Sequence, residues 1–117
     1  MKGRCYDRAM DKSLTVTVIG EEGESPIVLH LRGPVLISNL FDFQAHVREV
    51  KAKDLVIDMT EVPYIDSAGV GVLVGAYVHR QKESRNLVLV GVQDRVRSVL
   101  QVTQVERFFT FANKTAS

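Results

Sequence analysis

The sequence predicts a single α/β domain, with a mixed sheet of about four to five strands packed with about three to four helices in the order β-β-α-β-α-β-α. Three observations carry this. Leu14 to Ile19 and Ile27 to Arg32 alternate in the manner of half-buried strands and are joined by a polar turn. Leu55-Val56-Ile57 and Leu87-Val88-Leu89-Val90 are wholly apolar runs, each halted by a turn or polar signal. Between those two runs lies a long stretch with apolar residues at helical spacing, so the strand–helix–strand unit is expected to form a right-handed parallel crossover.

Residues 1 to 13 read as a flexible, mixed-charge lead-in to a domain spanning 14–111, and 112–117 read as a loose tail. The turn Gly20-Glu21-Glu22-Gly23-Glu24-Ser25-Pro26 makes the first two strands an antiparallel hairpin. Gly33-Pro34 stops the second strand. Ser38 is then placed to cap a helix with the inward stripe Leu40, Phe43, Val47 and Val50, closed by Lys51 and Lys53. The next helix begins near Asp66 or Ser67, with a core stripe of Val70, Leu73, Val74, Tyr77 and Val78, and ends among Arg80, Lys82 and Arg85. After the apolar strand at 87–90, Asp94 is expected to cap a last helix facing inward through Val96, Val99 and Leu100. Phe108 to Phe111 adds a short edge strand.

Composition narrows the function. A chain of 117 residues with 45% apolar and 25% charged residues is long enough for one real core without staples. A net charge of +1 and the lack of Trp argue against nucleic acid as a partner. The single cysteine, Cys5, excludes an internal disulfide and is read as a free thiol. No apolar run is long enough for membrane insertion and the first residues lack a secretory pattern, so the expected location is cytoplasmic.

The most informative stretch is Tyr64-Ile65-Asp66-Ser67-Ala68-Gly69-Val70-Gly71. Asp66 or Ser67 can accept a hydrogen bond from a first-turn N–H of the helix, and the small residues that follow let another surface approach the backbone. Gly69, Gly71 and Gly75 each cost a helix up to about 1 kcal/mol relative to Ala, which a helix built only to pack has no need to bear. Gly69, Val72, Ala76 and His79 form a small, partly apolar second stripe, expected as a docking face; packing beneath a neighbouring helix is the plainer reading of the same residues.

These residues carry a resemblance. VIDMTEVPYIDSAGVGVLVGAYVHRQ (Val56–Gln81), together with NLVLVGVQDRVRSVLQVTQVERFF (Asn86–Phe109), is similar to the STAS domain, a family that includes the bacterial anti-sigma factor antagonists and domains of sulphate transporters. The resemblance runs from about Leu14 to Phe111 and is most specific at Asp66-Ser67-Ala68-Gly69. It implies a non-enzymatic switch. The unmodified protein binds an anti-sigma factor that is also a serine kinase, phosphorylation of Ser67 beside Asp66 breaks that binding, and a serine phosphatase restores it. The partner-binding residues it implies, taken with the second stripe, are Asp66, Ser67, Ala68, Gly69, Val72, Ala76 and His79. Other members act as unswitched scaffolds in stress-signalling complexes or as subunits of lipid-transport assemblies. One departure stands out: antagonists commonly carry an acidic residue in the turn after the second strand, where this chain reads Gly33-Pro34-Val35-Leu36.

Rival chemistries are poorly supported. A hydrolase elbow needs glycine two residues before the serine, where Ile65 stands. Gly69, Gly71 and Gly75 match neither phosphate-loop spacing, and they fall inside a helix rather than before one. His30, His46 and His79 fall on three different elements without metal-ligand spacing, so no metal or other cofactor is expected. The basic residues Arg80, Lys82, Arg85, Arg95, Arg97 and Arg107 are expected to form a solvated rim.

Overall fold

The computed structural model describes residues 13–113. Residues 1–12 of the lead-in, Cys5 among them, and residues 114–117 of the expected tail lie outside the described residues. The elements run β1 (Thr15–Ile19), β2 (Ile27–Arg32), α1 (Phe41–Glu49), β3 (Asp54–Glu61), α2 (Ser67–Lys82), β4 (Asn86–Val90), α3 (Asp94–Val102), a 3-10 turn (Glu106–Phe108) and β5 (Thr110–Ala112). The mixed α/β architecture and the expected element order are both found, with β5 completing a sheet of five strands in the order β1-β2-β3-β4-β5. β1 and β2 are antiparallel and the remaining neighbours are parallel.

Because each parallel strand is laid beside the one before it, right-handed crossovers put all three helices on one face of the sheet. The core lies between. Leu29 and Leu31 of β2, Leu55, Ile57 and Met59 of β3, and Leu89 of β4 are fully buried against Phe43, Leu73, Val96 and Leu100 of the helices. The apolar run of β3 was expected to be covered on both faces; instead Val56 is only half-buried, as are Val28 and Val88 on its flanking strands. Asp58 shares that second face, and its carboxylate accepts from the amide and hydroxyl of Thr60.

Two helix starts differ from expectation. α1 begins at Phe41 with Leu40 in the N-cap position and no side-chain cap, so Ser38 caps nothing. Asn39 takes over the local hydrogen bonds: its amide donates to the Pro34 carbonyl and its carbonyl accepts from Leu36 N–H, which winds 37–40 into a turn ahead of the helix. In α3 the N-cap is Gln93 and Asp94 is the first helical residue; Gln93 donates instead to the Thr60 carbonyl.

In α2 the buried residues are Gly69, Val70, Val72, Leu73, Ala76 and Arg80. The inward face is therefore rotated from the expected stripe, leaving Val74 and Tyr77 half-buried and Val78 exposed. Gly69, Val72 and Ala76 of the second stripe are buried, and His79 is half-buried. The three glycines separate by environment. A Cβ on Gly69 would lie 2.5 Å from Ile65 Cγ1 and 2.7 Å from the Val35 carbonyl oxygen, whereas Gly71 and Gly75 face open space.

Arg80 was expected on a solvated rim and is instead 1% exposed. Its guanidinium donates to the carbonyls of Asn86 (2.9 Å), Val50 (3.2 Å), Ala52 (2.5 Å) and Lys53 (3.1 Å). One side chain thus ties the C-terminal end of α2 to the α1–β3 connection and the start of β4. Desolvation, then the neighbouring charge of Arg85, lowers its pKa. A planar fork with five donors can serve all four carbonyls at once, one more than the three donors of an ammonium can reach.

Of the other basic residues, Lys82, Arg95 and Arg107 are exposed as a rim requires, while Arg85 and Arg97 are half-buried. Arg97 stacks on Phe111 at 3.8 Å and bonds Glu106, a contact that holds the Glu106 carboxyl below its usual range. Arg107 lies 5.3 Å from the Phe108 ring.

Two predictions follow from this packing, both read from urea unfolding midpoints. Arg80→Met keeps the aliphatic bulk but strips a donor from four carbonyls around a buried side chain, and should cost about 2–4 kcal/mol; Arg80→Lys should recover only part of that. Gly69→Ala should cost about 1–3 kcal/mol by overpacking, while Gly71→Ala and Gly75→Ala should each stabilise by about 0.5–1 kcal/mol.

Candidate functional site

The site is built where the ends of β2 and β3 meet the start of α2. Gly33 leaves β2 with φ +110°, a conformation that favours glycine, and the Ser13 carbonyl lies where a Cβ would sit. The chain then runs beside the segment after β3. Val35 N–H donates to the Tyr64 carbonyl (3.0 Å), Asp66 N–H donates to the Val35 carbonyl (3.2 Å), and Val35 and Ile65 form an isolated parallel bridge.

Asp66 closes this junction. It is the N-cap of α2, with extended backbone, and its Oδ1 accepts from Gly69 N–H at 2.9 Å. Its Oδ2 accepts from Ile37 N–H at 3.1 Å, across 29 residues of sequence. Of the two cap candidates read from sequence, Asp66 takes the role and Ser67 becomes the first helical residue, with its side chain exposed. The first-turn amides that Asp66 does not reach lack intrahelical acceptors, and no acidic residue lies in that turn.

Beside Ser67 the surface is apolar. Ile37 and Phe41 are 66% and 68% exposed, and Tyr64 is 43% exposed with Arg95 positioned 5.9 Å from its ring. Ile37 and Phe41 form one end of a groove of about 370 Å³ between α1 and α2. Ala68, Gly71 and Gly75 line its α2 side, Val72 and Ala76 its floor, and His79 and Arg48 its far end. The groove exists because Gly71 and Gly75 carry no side chain to fill it.

Of the residues singled out from sequence, Asp66, Ser67 and Ala68 sit together at the helix start. Val72, Ala76 and His79 follow along the groove, and Gly69 is buried against Val35 and Ile65. Sequence reasoning missed Ile37 and Phe41 as members of this surface. The available signal was Phe41 itself, a large aromatic lying off the inward stripe of Leu40, Phe43 and Val47.

The three histidines are separate. His30 lies 3.1 Å from Glu61, His46 bonds the Asp42 carbonyl at 2.8 Å, and His79 lies 3.9 Å from Glu83. Among the described residues no helix is long and apolar enough to cross a membrane.

Comparison with known proteins agrees with this geometry. The STAS domain family model matches residues 17–117. An anti-sigma-B factor antagonist of Listeria monocytogenes is 39% identical over 59 residues, a stretch covering 50% of this chain and 52% of that protein. The match thus spans about half the length of that relative. Among solved structures, an anti-sigma factor antagonist from Mycobacterium paratuberculosis superposes with a TM-score of 0.73 at 21% identity, over 86% of each chain. The unphosphorylated form of the anti-sigma factor antagonist SpoIIAA superposes with a TM-score of 0.70 at 16% identity, over 87% of this chain and 91% of that one. At such identities the structural likeness speaks for the fold alone. The family model covers most of the sequence, and this chain belongs to the STAS domain family.

Proposed function

We propose that this chain is a cytoplasmic anti-sigma factor antagonist, which binds an anti-sigma factor with serine kinase activity and is released when Ser67 is phosphorylated. The observation that carries this reading is the exposed Ser67 hydroxyl at the start of α2, flanked by Asp66 and bordered by Ile37, Phe41 and the α1–α2 groove. A kinase can reach such a hydroxyl, and a partner seated on the apolar surface beside it covers it.

The physics supports a switch without refolding. A phosphate brings about −1.5 to −2 charges at pH 7. The free amides and dipole of a helix N-terminus favour an anion, so the fold tolerates the modification. The partner meets a bulky dianion beside the Asp66 carboxylate at a surface it must desolvate. A penalty of about 3 kcal/mol there weakens binding roughly a hundredfold. The missing carboxylate in the Gly33-Pro34-Val35-Leu36 turn leaves Asp66 as the acidic residue beside the serine through which a kinase would recognise this site. A serine phosphatase completes the cycle.

Ser67→Ala and Ser67→Asp separate the readings. Used as baits in extract from the native cell, Ser67→Ala should capture an ATP-binding kinase partner and Ser67→Asp should lose it. Both variants should keep the wild-type circular dichroism spectrum, and mass analysis should find phosphate on the Ser67 peptide of the native protein. If both baits capture the same assembly equally well, the switch is wrong and an unswitched scaffold takes its place. A Phe41→Ala bait should lose at least about tenfold in affinity while remaining folded, because its ring is mostly in solvent.

A further inference from the structure

β1 is the outer strand of the sheet, and among the described residues its ladder partner is β2. Its other side presents a row of backbone N–H and C=O groups. Natural edge strands are guarded by charges, proline or bulges, because an open edge templates pairing with another strand. Thr15-Val16-Thr17-Val18-Ile19 has no charge and no proline, and Val18 and Ile19 are 45% and 52% exposed.

This strand is also its own complement. Turned antiparallel about Thr17, it sets Thr17 against Thr17, Val16 against Val18, and Thr15 against Ile19. Val16 and Val18 pair in register with Leu31 and Leu29 of β2, so the valine pairs extend the helix-covered side of the sheet, and the threonine and isoleucine pairs extend the other. Charge agrees with the same arrangement. The turn after Ile19 carries exposed Glu21, Glu22 and Glu24, and would arrive at the Thr15 end of the second copy, where Arg32, on the neighbouring strand, keeps most of its side chain in solvent while lying 3.5 Å from Glu61. Two-fold symmetry makes that contact twice.

We propose that two copies of this chain pair through β1 in a two-fold antiparallel arrangement, joining their sheets into one. A five-residue edge buries less than the roughly 1,200 Å² of a standard stable interface, so the dimer is expected to be weak, with a Kd of about 10–100 µM. β1 contributes no residue to the groove beside Ser67, so this pairing stands independently of the switch.

Sedimentation velocity on the full chain, over about 5–500 µM and with a reductant to keep Cys5 a thiol, should show a monomer–dimer equilibrium. Thr17→Lys and Thr17→Glu each place like charges across the two-fold axis and should weaken it at least about tenfold, since Thr17 is exposed in the monomer and tolerates either side chain. An equimolar mixture of the two variants should restore a heterodimer. A wild-type chain that stays monomeric throughout would overturn the proposal, as would a Thr17→Lys chain that dimerises as well as wild type. So would dimerisation that appears only after removal of residues 1–12, which would assign the edge to that segment.

Discussion

The junction of β2, β3 and α2 depends on one carboxylate. Asp66 accepts from Gly69 N–H with one oxygen and from Ile37 N–H with the other, so the start of α2 and the β2–α1 connection are fixed to the same group. Without it the helix loses a cap worth about 1 kcal/mol. The larger consequence is geometric. Ile37 would no longer be held directly against the helix start, and the backbone bonds of Val35, the Asn39 bonds and the core packing of α1 would be left to position Ile37 and Phe41. The hydroxyl, the apolar patch and the groove are one surface because Asp66 makes them one.

α2 shows how such a surface is compatible with a stable fold. A sixteen-residue helix with glycine at 69, 71 and 75 is poor by propensity, and tertiary contacts must hold it. Leu73 is fully buried at its middle, Asp66 anchors its first turn, and Arg80 anchors its last. Gly69 belongs to the fold, because neither Ile65 nor the Val35 carbonyl leaves room for a methyl group. Gly71 and Gly75 do not, since nothing packs where their side chains would be. Their cost in stability is offset by the two anchored ends, and what it leaves is an open groove rather than a filled one.

The sequence was legible where side-chain pattern and burial coincide. Alternation in Ile27–Arg32 placed the inward face of β2 correctly, and the turn at 20–26 announced the hairpin. It was illegible where pattern carries no phase. Val70, Val72, Leu73, Val74, Ala76, Tyr77 and Val78 are distributed around α2, so the apolar spacing could not fix the rotation of the helix. Arg80 was hidden for a different reason. Its acceptors are backbone carbonyls at 50, 52, 53 and 86, and backbone groups leave no mark in a sequence; an arginine at a helix end reads as solvated. Ser38 looked like a cap, but Asn39 could satisfy two backbone groups of the preceding turn at once and shifted the helix start beyond it. At the site, Asp66 and Ser67 were readable because strand, loop and small-residue helix follow in order. Phe41 was readable only through its place off the stripe of Leu40, Phe43 and Val47, and Ile37, outside any periodic segment, left no such mark.

The rigidity of this junction decides how a modification at Ser67 would act. A switch can work by reshaping its own protein or by altering what a partner meets, and the two require different energetics. Reshaping needs a second arrangement within a few kcal/mol of the first. Here the segment beside Ser67 is pinned by the Val35–Ile65 bridge, by both oxygens of Asp66, and by the close packing of Ile65 and the Val35 carbonyl against Gly69. A phosphate on Ser67 would find first-turn amides free to receive it and would break none of those contacts. The differential free energy would therefore fall on the partner's side of the interface, where desolvating a dianion beside a carboxylate is costly. A protein that serves as a fixed surface, altered by one group at its rim, needs no internal bistability, and the bonds around Asp66 supply none.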